Sequence, residues 1–355
     1  MRLLSFCALG LVYLSNAAPL VPGRAFDRLI TIWLENQDFA KVSEDVNIKD
    51  LKKHGILLTR YYGNTHPSQP NYLAAVGGDY FGLNHGGFVR VPENVPWAGY
   101  FEDMPGPGYM GMGMGSDGKT RSGQWDYVRK HNPFVSFDSI NMNGSRLLKL
   151  QSFDDFQRTF AARDVPQFVF MTPNMMNTGH NSTLKYVTDW SNKFLKPLLA
   201  DEASDGRTLI MLTYDESETY EEPNRIVMLL LGSAVPPALK GTTDDTFYTH
   251  YSILSTVEHN WELPNLGRYD VPDNAASVNN SVSYLGALND GLASFLPIPS
   301  PNVRLVGAGE LPVLAKIRMA WMTHMTEQTP YNGSGNFVDG DENLPVYRPQ
   351  VANQR

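Results

Sequence analysis

Five short apolar runs, each followed by polar residues, constrain the fold of this chain more than any other feature. They span residues 29–34, 56–62, 167–171, 208–213 and 226–231. Short runs rich in β-branched and large aliphatic residues are typical of strands that are buried on both faces of a sheet. Because helical segments separate several of them, the sequence predicts an α/β fold. We expect a doubly wound, mostly parallel sheet with helices on both faces.

Other segments fill in this architecture. Residues 48–54 are predicted to be helical, a loop leads into a second helix near Ser68, and residues 251–259 form a third. Residues 82–134 are rich in Gly, Met and aromatic side chains and have little periodicity, so they are predicted to be an insertion or lid near the functional site. We expect a single domain over residues 19–355.

The first 18 residues are predicted to be a secretory signal peptide. Arg2 supplies a positive charge, residues 3–14 are apolar, and small residues permit cleavage after Ala17 or the next alanine. A short buried helix is the alternative. The only cysteine, Cys7, lies in this segment, so the predicted mature chain has neither a disulfide nor a cysteine-ligated metal.

Four N-x-[ST] triplets favour secretion as well. The predicted glycosylation sites are Asn143, Asn181, Asn279 and Asn332. With the signal segment they predict an extracellular glycoprotein, or one held in the cell wall or periplasmic space of a fungus. No later run is apolar enough to predict stable membrane insertion. The net charge of −8, with no cluster of Lys and Arg, argues against nucleic acid as a partner; the oligomeric state is not defined.

Polar side chains follow the predicted strands at the points where they end. Glu35 and Asn36 follow the first strand, and Asp215 and Glu216 follow the fourth. The carboxyl ends of parallel strands open onto one crevice, so these residues are expected to meet. Buried carboxylates repel one another unless a cation neutralises them, and their oxygens suit a divalent metal. A solvated turn or helix cap is the alternative for the acidic pair.

Ser68 is a candidate nucleophile. It stands between Pro67 and Pro70, which restrict the loop, and at a predicted helix N-terminus where backbone N–H groups can receive a phosphate. Metal coordination would make its hydroxyl nucleophilic. An ordinary N-cap serine is the alternative.

Two histidines are candidates for acid–base work or phosphate binding. His180 and His250 lie beside predicted strand or helix ends, while His66 and His131 are weaker candidates. Each could instead be a structural hydrogen-bonding residue. The sequence lacks G-x-S-x-G, a P-loop and H-E-x-x-H, which argues against an α/β-hydrolase, an NTPase and a zincin.

Taken in order, these motifs resemble those of the phosphoesterase family that includes bacterial phospholipases C and acid phosphatases. Residues 34–39 resemble its E-N-x-x-F element, and residues 66–72 resemble the [ST]-x-P-N nucleophile element of the alkaline phosphatase superfamily. Further segments resemble the secreted fungal acid phosphatase branch: 130–134, 172–176, 213–216 and 250–254. The resemblance covers about residues 26–270.

This resemblance implies an alkaline-phosphatase-like fold and a divalent metal ion of undefined identity. The implied metal ligands are Glu35, Asn36, Ser68, Asp215 and Glu216. The implied catalytic residues are Ser68, His180 and His250. The implied substrate-binding residues are Asn71, Lys130, His131 and Asn174. Two positions differ from the family pattern. The family has Asp before its Gly-His pair where this chain has Thr178, and His259 stands where Asn or Asp is expected in the helix that follows His250.

The combined prediction is a secreted, metal-assisted acid phosphatase that hydrolyses phosphate monoesters through a phosphoseryl intermediate. A phospholipase C or another phosphodiesterase could use the same site with a different pocket for the leaving group. A non-catalytic secreted phosphate-binding protein could retain the same scaffold.

Overall fold

The computed structural model describes ten stretches of the chain. They are residues 20–64, 66, 68–78, 95–111, 113–114, 125–200, 207–219, 224–264, 266 and 270. The predicted signal peptide, the triplets at Asn279 and Asn332, and much of the predicted insertion lie outside the described residues.

In the described part of the chain, eight strands form one sheet and two more form a small second sheet. The strands are β1 (Arg28–Leu34), β2 (Ile56–Tyr62), β3 (Trp97–Phe101), β4 (Gly113–Met114), β5 (Tyr127–Val128), β6 (Leu150–Gln151), β7 (Phe168–Thr172), β8 (Thr208–Tyr214), β9 (Arg225–Leu231) and β10 (Thr243–Thr249). The order in the large sheet is β10-β2-β9-β8-β1-β7-β3-β6. Among the described strands of the large sheet, only β9 runs antiparallel to its neighbours. The predicted mostly parallel sheet is therefore confirmed.

Helices cover the centre of this sheet. They are α1 (Phe39–Glu44), α2 (Val46–Lys52), α3 (Ser68–Gly77), α4 (Asp138–Asn141), α5 (Gly144–Leu147), α6 (Phe153–Ala161), α7 (Leu184–Ala200) and α8 (Tyr251–Asn260). All residues of β1 and β8 are buried, which requires cover on both faces. Helix α3 contacts α8, and α2 contacts α7. Among the helices described, none is both long and apolar enough to cross a bilayer.

The five predicted strands are all present, with every end within one residue of its prediction. The interpretation of residues 82–134 as an insertion is wrong for β3, which lies between β7 and β6 in the large sheet. Its central residue is Gly99, where a Cβ atom would lie 2.8 Å from the Phe101 ring. A side chain at this position would force the buried Phe101 ring to shift, and the glycine interrupts the apolar pattern that identifies a strand.

The register between β1 and β8 positions the acidic residues. Leu34 lies opposite Tyr214 in this parallel pair, so Glu35 and Asp215 leave the sheet side by side. The backbone N–H of Asp215 donates a 2.9 Å hydrogen bond to the Leu34 carbonyl. The predicted convergence at the carboxyl ends of the strands is therefore present.

Candidate active site

Three carboxylates from two strand ends form the centre of the candidate site. Glu35 follows β1, and Asp215 and Glu216 follow β8; each is at most 1% exposed. Asp215 Oδ1 accepts hydrogen bonds from the backbone N–H groups of Asn36 at 3.1 Å and of Glu216 at 2.7 Å. These bonds tie the two loops together and fix the Asp215 side chain.

Asn36 adopts a left-handed backbone conformation, with φ of 46°. Asn tolerates this region better than most residues that carry a Cβ atom. The conformation accompanies the N–H bond to Asp215. The side-chain oxygen of Asn36 is buried and finds no hydrogen-bond donor among the described residues.

Ser68, the first residue of α3, reaches this acidic centre. Its Oγ lies 2.9 Å from Glu35 Oε2 and 3.3 Å from Glu216 Oε1, and Ser68 is 3% exposed. The hydroxyl therefore donates towards carboxylates from two strand ends. Ser68 thus stands at the start of the helix with its hydroxyl directed at buried carboxylates.

Three further side chains lie close to the other oxygens of the two glutamates, and one of them, Tyr72, forms a hydrogen bond. Tyr72 donates a short hydrogen bond to Glu35 Oε1, and His131 Nε2 lies 3.1 Å from the same oxygen. His66 Nδ1 lies 2.5 Å from Glu216 Oε2. Tyr72 is a site residue that sequence reasoning missed. Its spacing of four residues from Ser68 was the available signal, because i and i+4 positions share one face of a helix.

The electrostatics of the three carboxylates differ from those of surface acids. Burial, with repulsion from Asp215, raises the pKa of Glu35 well above its usual value. Burial, with repulsion from Asp215 and Glu35, does the same to the pKa of Glu216. Burial raises the pKa of Asp215 to about 6, and the nearby Ser68 hydroxyl limits that rise. The positive charge of Lys130 opposes the upward shifts of both glutamates.

The donor set fits a hard divalent cation. Carboxylate and hydroxyl oxygens meet here, and the buried Asp215 Oδ2 and Asn36 Oδ1 find no hydrogen-bond donor among the described residues. A cation would relieve the repulsion between the carboxylates. Within the described ranges, no three or more His, Cys, Asp or Glu side chains form a ready ligand set. In the structure, the Ser68 hydroxyl contacts oxygens of Glu35 and Glu216, and two backbone N–H groups donate to Asp215 Oδ1.

His180 and Lys130 lie beside this centre. Lys130 and His131 belong to a 3-10 turn at residues 129–131, and the rings of His131 and His180 are 6.0 Å apart. Lys130 Nζ lies 3.3 Å from His180 Nε2. Burial and the Lys130 charge lower the pKa of His180 to about 4, so its ring is neutral at moderate pH. Burial also lowers the pKa of His131 well below its usual value.

His250, directly before α8, uses both ring nitrogens within the protein. Its Nε2 lies 2.7 Å from the Asp215 backbone carbonyl, and its Nδ1 lies 3.0 Å from the Tyr61 hydroxyl. A carbonyl oxygen only accepts, so Nε2 carries the proton and Nδ1 accepts from Tyr61. Burial lowers the pKa of His250 to about 4. The His250 ring therefore stabilises the loop that carries Asp215 through its backbone carbonyl.

The remaining predicted residues contact the loops around the centre. Asn71 Oδ1 accepts a 2.8 Å hydrogen bond from the Asn64 backbone N–H. Asn174 Nδ2 donates to Asp103 Oδ2 at 2.7 Å, and its Oδ1 accepts from two backbone N–H groups of its own loop. Among the described residues, the side-chain hydrogen bonds of Asn174 shape this loop and do not reach the acidic centre. Thr178, where the resemblance suggests Asp, contacts backbone groups of the same loop.

Two of the predicted glycosylation sites lie in the described ranges. Asn143 and Asn181 are both exposed. Asn143 caps α5 by accepting from the Arg146 backbone N–H at 3.2 Å. Asn181 Oδ1 lies 2.9 Å from His180 Nδ1.

Comparison with known proteins gives one family and several relatives. The profile of the Phosphoesterase family matches residues 34–264. A "Probable acid phosphatase" of Kluyveromyces lactis is 40% identical, over 90% of this chain and 82% of that protein. A "Phosphate-repressible acid phosphatase" of Penicillium chrysogenum is 45% identical over 70% of this chain, which spans 62% of that protein. A structure from Vibrio parahaemolyticus, described as a protein in the alkaline phosphatase superfamily, has a TM-score of 0.42 at 12% identity and covers 67% of each chain.

Proposed function

We propose that this chain, which belongs to the Phosphoesterase family, is an acid phosphatase that hydrolyses phosphate monoesters through a phosphoseryl intermediate at Ser68. As a member of this family it is a hydrolase of phosphoric ester bonds. The observation that carries the proposal is the position of the Ser68 hydroxyl between Glu35 and Glu216.

The reaction then takes two displacements at phosphorus. In the first, Ser68 Oγ forms a bond to phosphorus while the bond from phosphorus to the leaving alcohol breaks. The hydroxyl proton leaves towards Glu35 or Glu216, its nearest acceptors, and ends on the alcohol. In the second, the oxygen of water forms a bond to phosphorus while the bond from phosphorus to Ser68 Oγ breaks, and the proton that the water releases ends on Ser68 Oγ. The products are the alcohol and inorganic phosphate.

We assign the divalent cation of this site to five oxygen-bearing side chains: Glu35, Asn36, Ser68, Asp215 and Glu216. When bound, such a cation supplies charge neutralisation and lowers the pKa of a coordinated hydroxyl. The support is the contact of the Ser68 hydroxyl with both glutamates, and the buried Asp215 Oδ2 and Asn36 Oδ1, which find no donor among the described residues. Tyr72 orients Glu35 through a hydrogen bond, and His131 and His66 lie beside the carboxylates of Glu35 and Glu216.

We assign phosphate recognition to the side of the site that holds Lys130. Lys130 provides a positive charge near the carboxylates, and His131 and His180 line the same side. Positive groups aimed at the transferring phosphoryl group supply much of the rate in this chemistry. His250 contributes through the Asp215 loop, which its Nε2–H holds. We retain Asn71 and Asn174 as substrate-side loop residues.

Secretion belongs to the same proposal. The apolar N-terminal segment supports export, and the exposed triplets at Asn143 and Asn181 support glycosylation. We propose one catalytic domain from residue 19 onwards, acting outside the cell or in the wall or periplasmic space of a fungus.

A direct test compares a chromogenic phosphate monoester with its matched diester, each with and without a chelator. The proposal expects acid-range hydrolysis of the monoester, weak diester hydrolysis, and loss of activity with chelator. Preferred diester cleavage would instead identify a phosphodiesterase. Tight phosphate binding without turnover of either ester would identify a binding protein.

A further inference from the structure

A chain of three polar side chains extends outward from the acidic centre. Lys130 Nζ lies 3.3 Å from His180 Nε2, and His180 Nδ1 lies 2.9 Å from Asn181 Oδ1. Both nitrogens of one imidazole ring are therefore engaged, one by an ammonium group and one by an amide.

The Lys130 contact determines where the imidazole carries its proton. An ammonium group has three donors and no acceptor, so His180 Nε2 must present its lone pair to it. A neutral imidazole then carries its proton on Nδ1, and this N–H needs an acceptor. The Asn181 side-chain oxygen is such an acceptor at hydrogen-bond distance.

We propose that Asn181 is a positioning residue whose side-chain oxygen fixes His180 in the Nδ1-protonated tautomer, so that the Nε2 lone pair holds the Lys130 ammonium at the phosphate site. This inference rests on the proposed function, because it treats Lys130 as the cation that meets the substrate phosphate. Asn181 itself does not touch the reacting atoms.

The neutral amide suits this task better than a carboxylate would. Lysine has a long flexible stem, and an acceptor for its ammonium reduces the number of positions that the charge samples. A carboxylate beside Nδ1 would favour the doubly protonated imidazolium, which has no lone pair for Lys130 and would repel it. An amide fixes the tautomer and adds no charge.

Glycosylation of Asn181 is compatible with this role. A glycan is attached to the amide nitrogen, whereas the contact with His180 uses the oxygen. Thr183 completes the N-x-[ST] triplet of Asn181. Thr183→Ala therefore prevents glycosylation of Asn181 while leaving its side chain in place. Thr183→Ser keeps both the triplet and a hydroxyl for the Tyr186 backbone N–H, which lies 3.3 Å from Thr183 Oγ1.

The test compares full-length wild type with Asn181→Ala, Asn181→Asp and Thr183→Ala. Proteins carrying ¹⁵N-labelled histidine give the ring-nitrogen shifts of His180, which identify its tautomer by NMR; a His180→Gln spectrum provides the assignment. KM and kcat for a chromogenic monoester, and the dissociation constant of inorganic phosphate, are measured on the same samples.

Wild type and Thr183→Ala should both show the Nδ1-protonated form. Asn181→Ala should show mixed tautomers and bind phosphate and monoester about tenfold more weakly, the scale of one lost hydrogen bond. In Asn181→Asp the carboxylate should again keep His180 Nδ1 protonated, and the His180 ring should titrate at a higher pH than in wild type. Unchanged His180 shifts and phosphate affinity in Asn181→Ala, or equal losses in Thr183→Ala, would overturn the inference. A wild type with the expected tautomer but no turnover would contradict only the proposed function.

Discussion

Tyr72 donates its phenolic hydrogen bond to the oxygen of Glu35 that points away from Ser68. Glu35 Oε1 receives Tyr72 and lies 3.1 Å from His131, whereas Oε2 faces the Ser68 hydroxyl at 2.9 Å. The two oxygens of one carboxylate thus have separate partners. This division orients the carboxylate and leaves Oε2 directed at the candidate nucleophile.

Tyr72→Phe should weaken metal binding without unfolding the protein. The ring keeps its packing against Trp33 and His131, while Glu35 loses a donor that orients it. Loss of such an outer contact typically weakens metal affinity 10- to 100-fold, at the order-of-magnitude level. Calorimetric titration of the chelator-treated protein with Mn²⁺ or Ca²⁺ measures the change. Tyr100→Phe is the matched control, since the Tyr100 hydroxyl contacts Thr159; equal affinities in both variants would contradict this role.

Asp215→Asn should lower metal content and activity together. A neutral amide is a poorer ligand for a hard cation, although its oxygen can still accept the backbone bonds from Asn36 and Glu216. It should also make the metal-free protein more stable, because one of three repelling buried carboxylates is gone. Metal analysis and thermal unfolding with and without chelator provide the measurements, with the exposed Glu44→Gln as control. Full metal occupancy with normal turnover would refute the ligand assignment.

Glu258 in α8 should make folding stability depend on pH. Burial, with repulsion from Asp270, raises the pKa of Glu258 to about 9 from its usual value of 4.5. The folded protein keeps a proton that the unfolded chain releases, so this contribution is complete below about pH 4.5 and is lost as pH rises towards 9. The slope is at most about 1.4 kcal/mol per pH unit.

Glu258→Gln should flatten the denaturant-unfolding stability profile across that pH window. Glu262→Gln is the matched control, because Glu262 is exposed and paired with Arg24. A wild-type profile that is already flat between pH 5 and pH 9 would contradict the buried-acid interpretation.

Expression in a eukaryotic host should yield glycans on Asn143 and Asn181. Both side chains are exposed, and secretion would bring them to the enzyme that attaches N-linked glycans. Mass spectrometry of peptides from the secreted protein, before and after enzymatic deglycosylation, locates them and defines the mature N-terminus. Ser145→Ala and Thr183→Ala should each remove one glycan. Retention in the cell with Met1 present would contradict the signal-peptide prediction.

The sequence predicted the central strands because burial on both faces leaves an uninterrupted apolar run. β1 and β8 are such strands, and their register brought Glu35 to Asp215. β10 was not predicted, since its sequence TDDTFYT is polar at an edge of the sheet. β3 was missed because Gly99 interrupts its pattern.

The sequence predicted those parts of the site that follow from strand topology alone, namely the meeting of acidic residues at the carboxyl ends of the strands. The metal-ligand and nucleophile assignments remain predictions, although the structure brings Glu35, Asp215, Glu216 and Ser68 together. The contact of His250 with the Asp215 carbonyl depends on loop geometry that spacing does not encode. The pairing of His180 with Asn181 is likewise invisible in sequence, because adjacent side chains contact each other only in particular rotamers.

Trapping the intermediate tests the central claim most directly. Wild-type enzyme is mixed with ³²P-labelled monoester, quenched in acid, and digested, and the labelled peptide is sequenced. Ser68→Ala is treated in parallel; it should lose activity by several orders of magnitude while unfolding at nearly the wild-type temperature. The account predicts label on the peptide containing Ser68 in wild type alone. An unlabelled Ser68 peptide, together with near-normal turnover in Ser68→Ala, would contradict it.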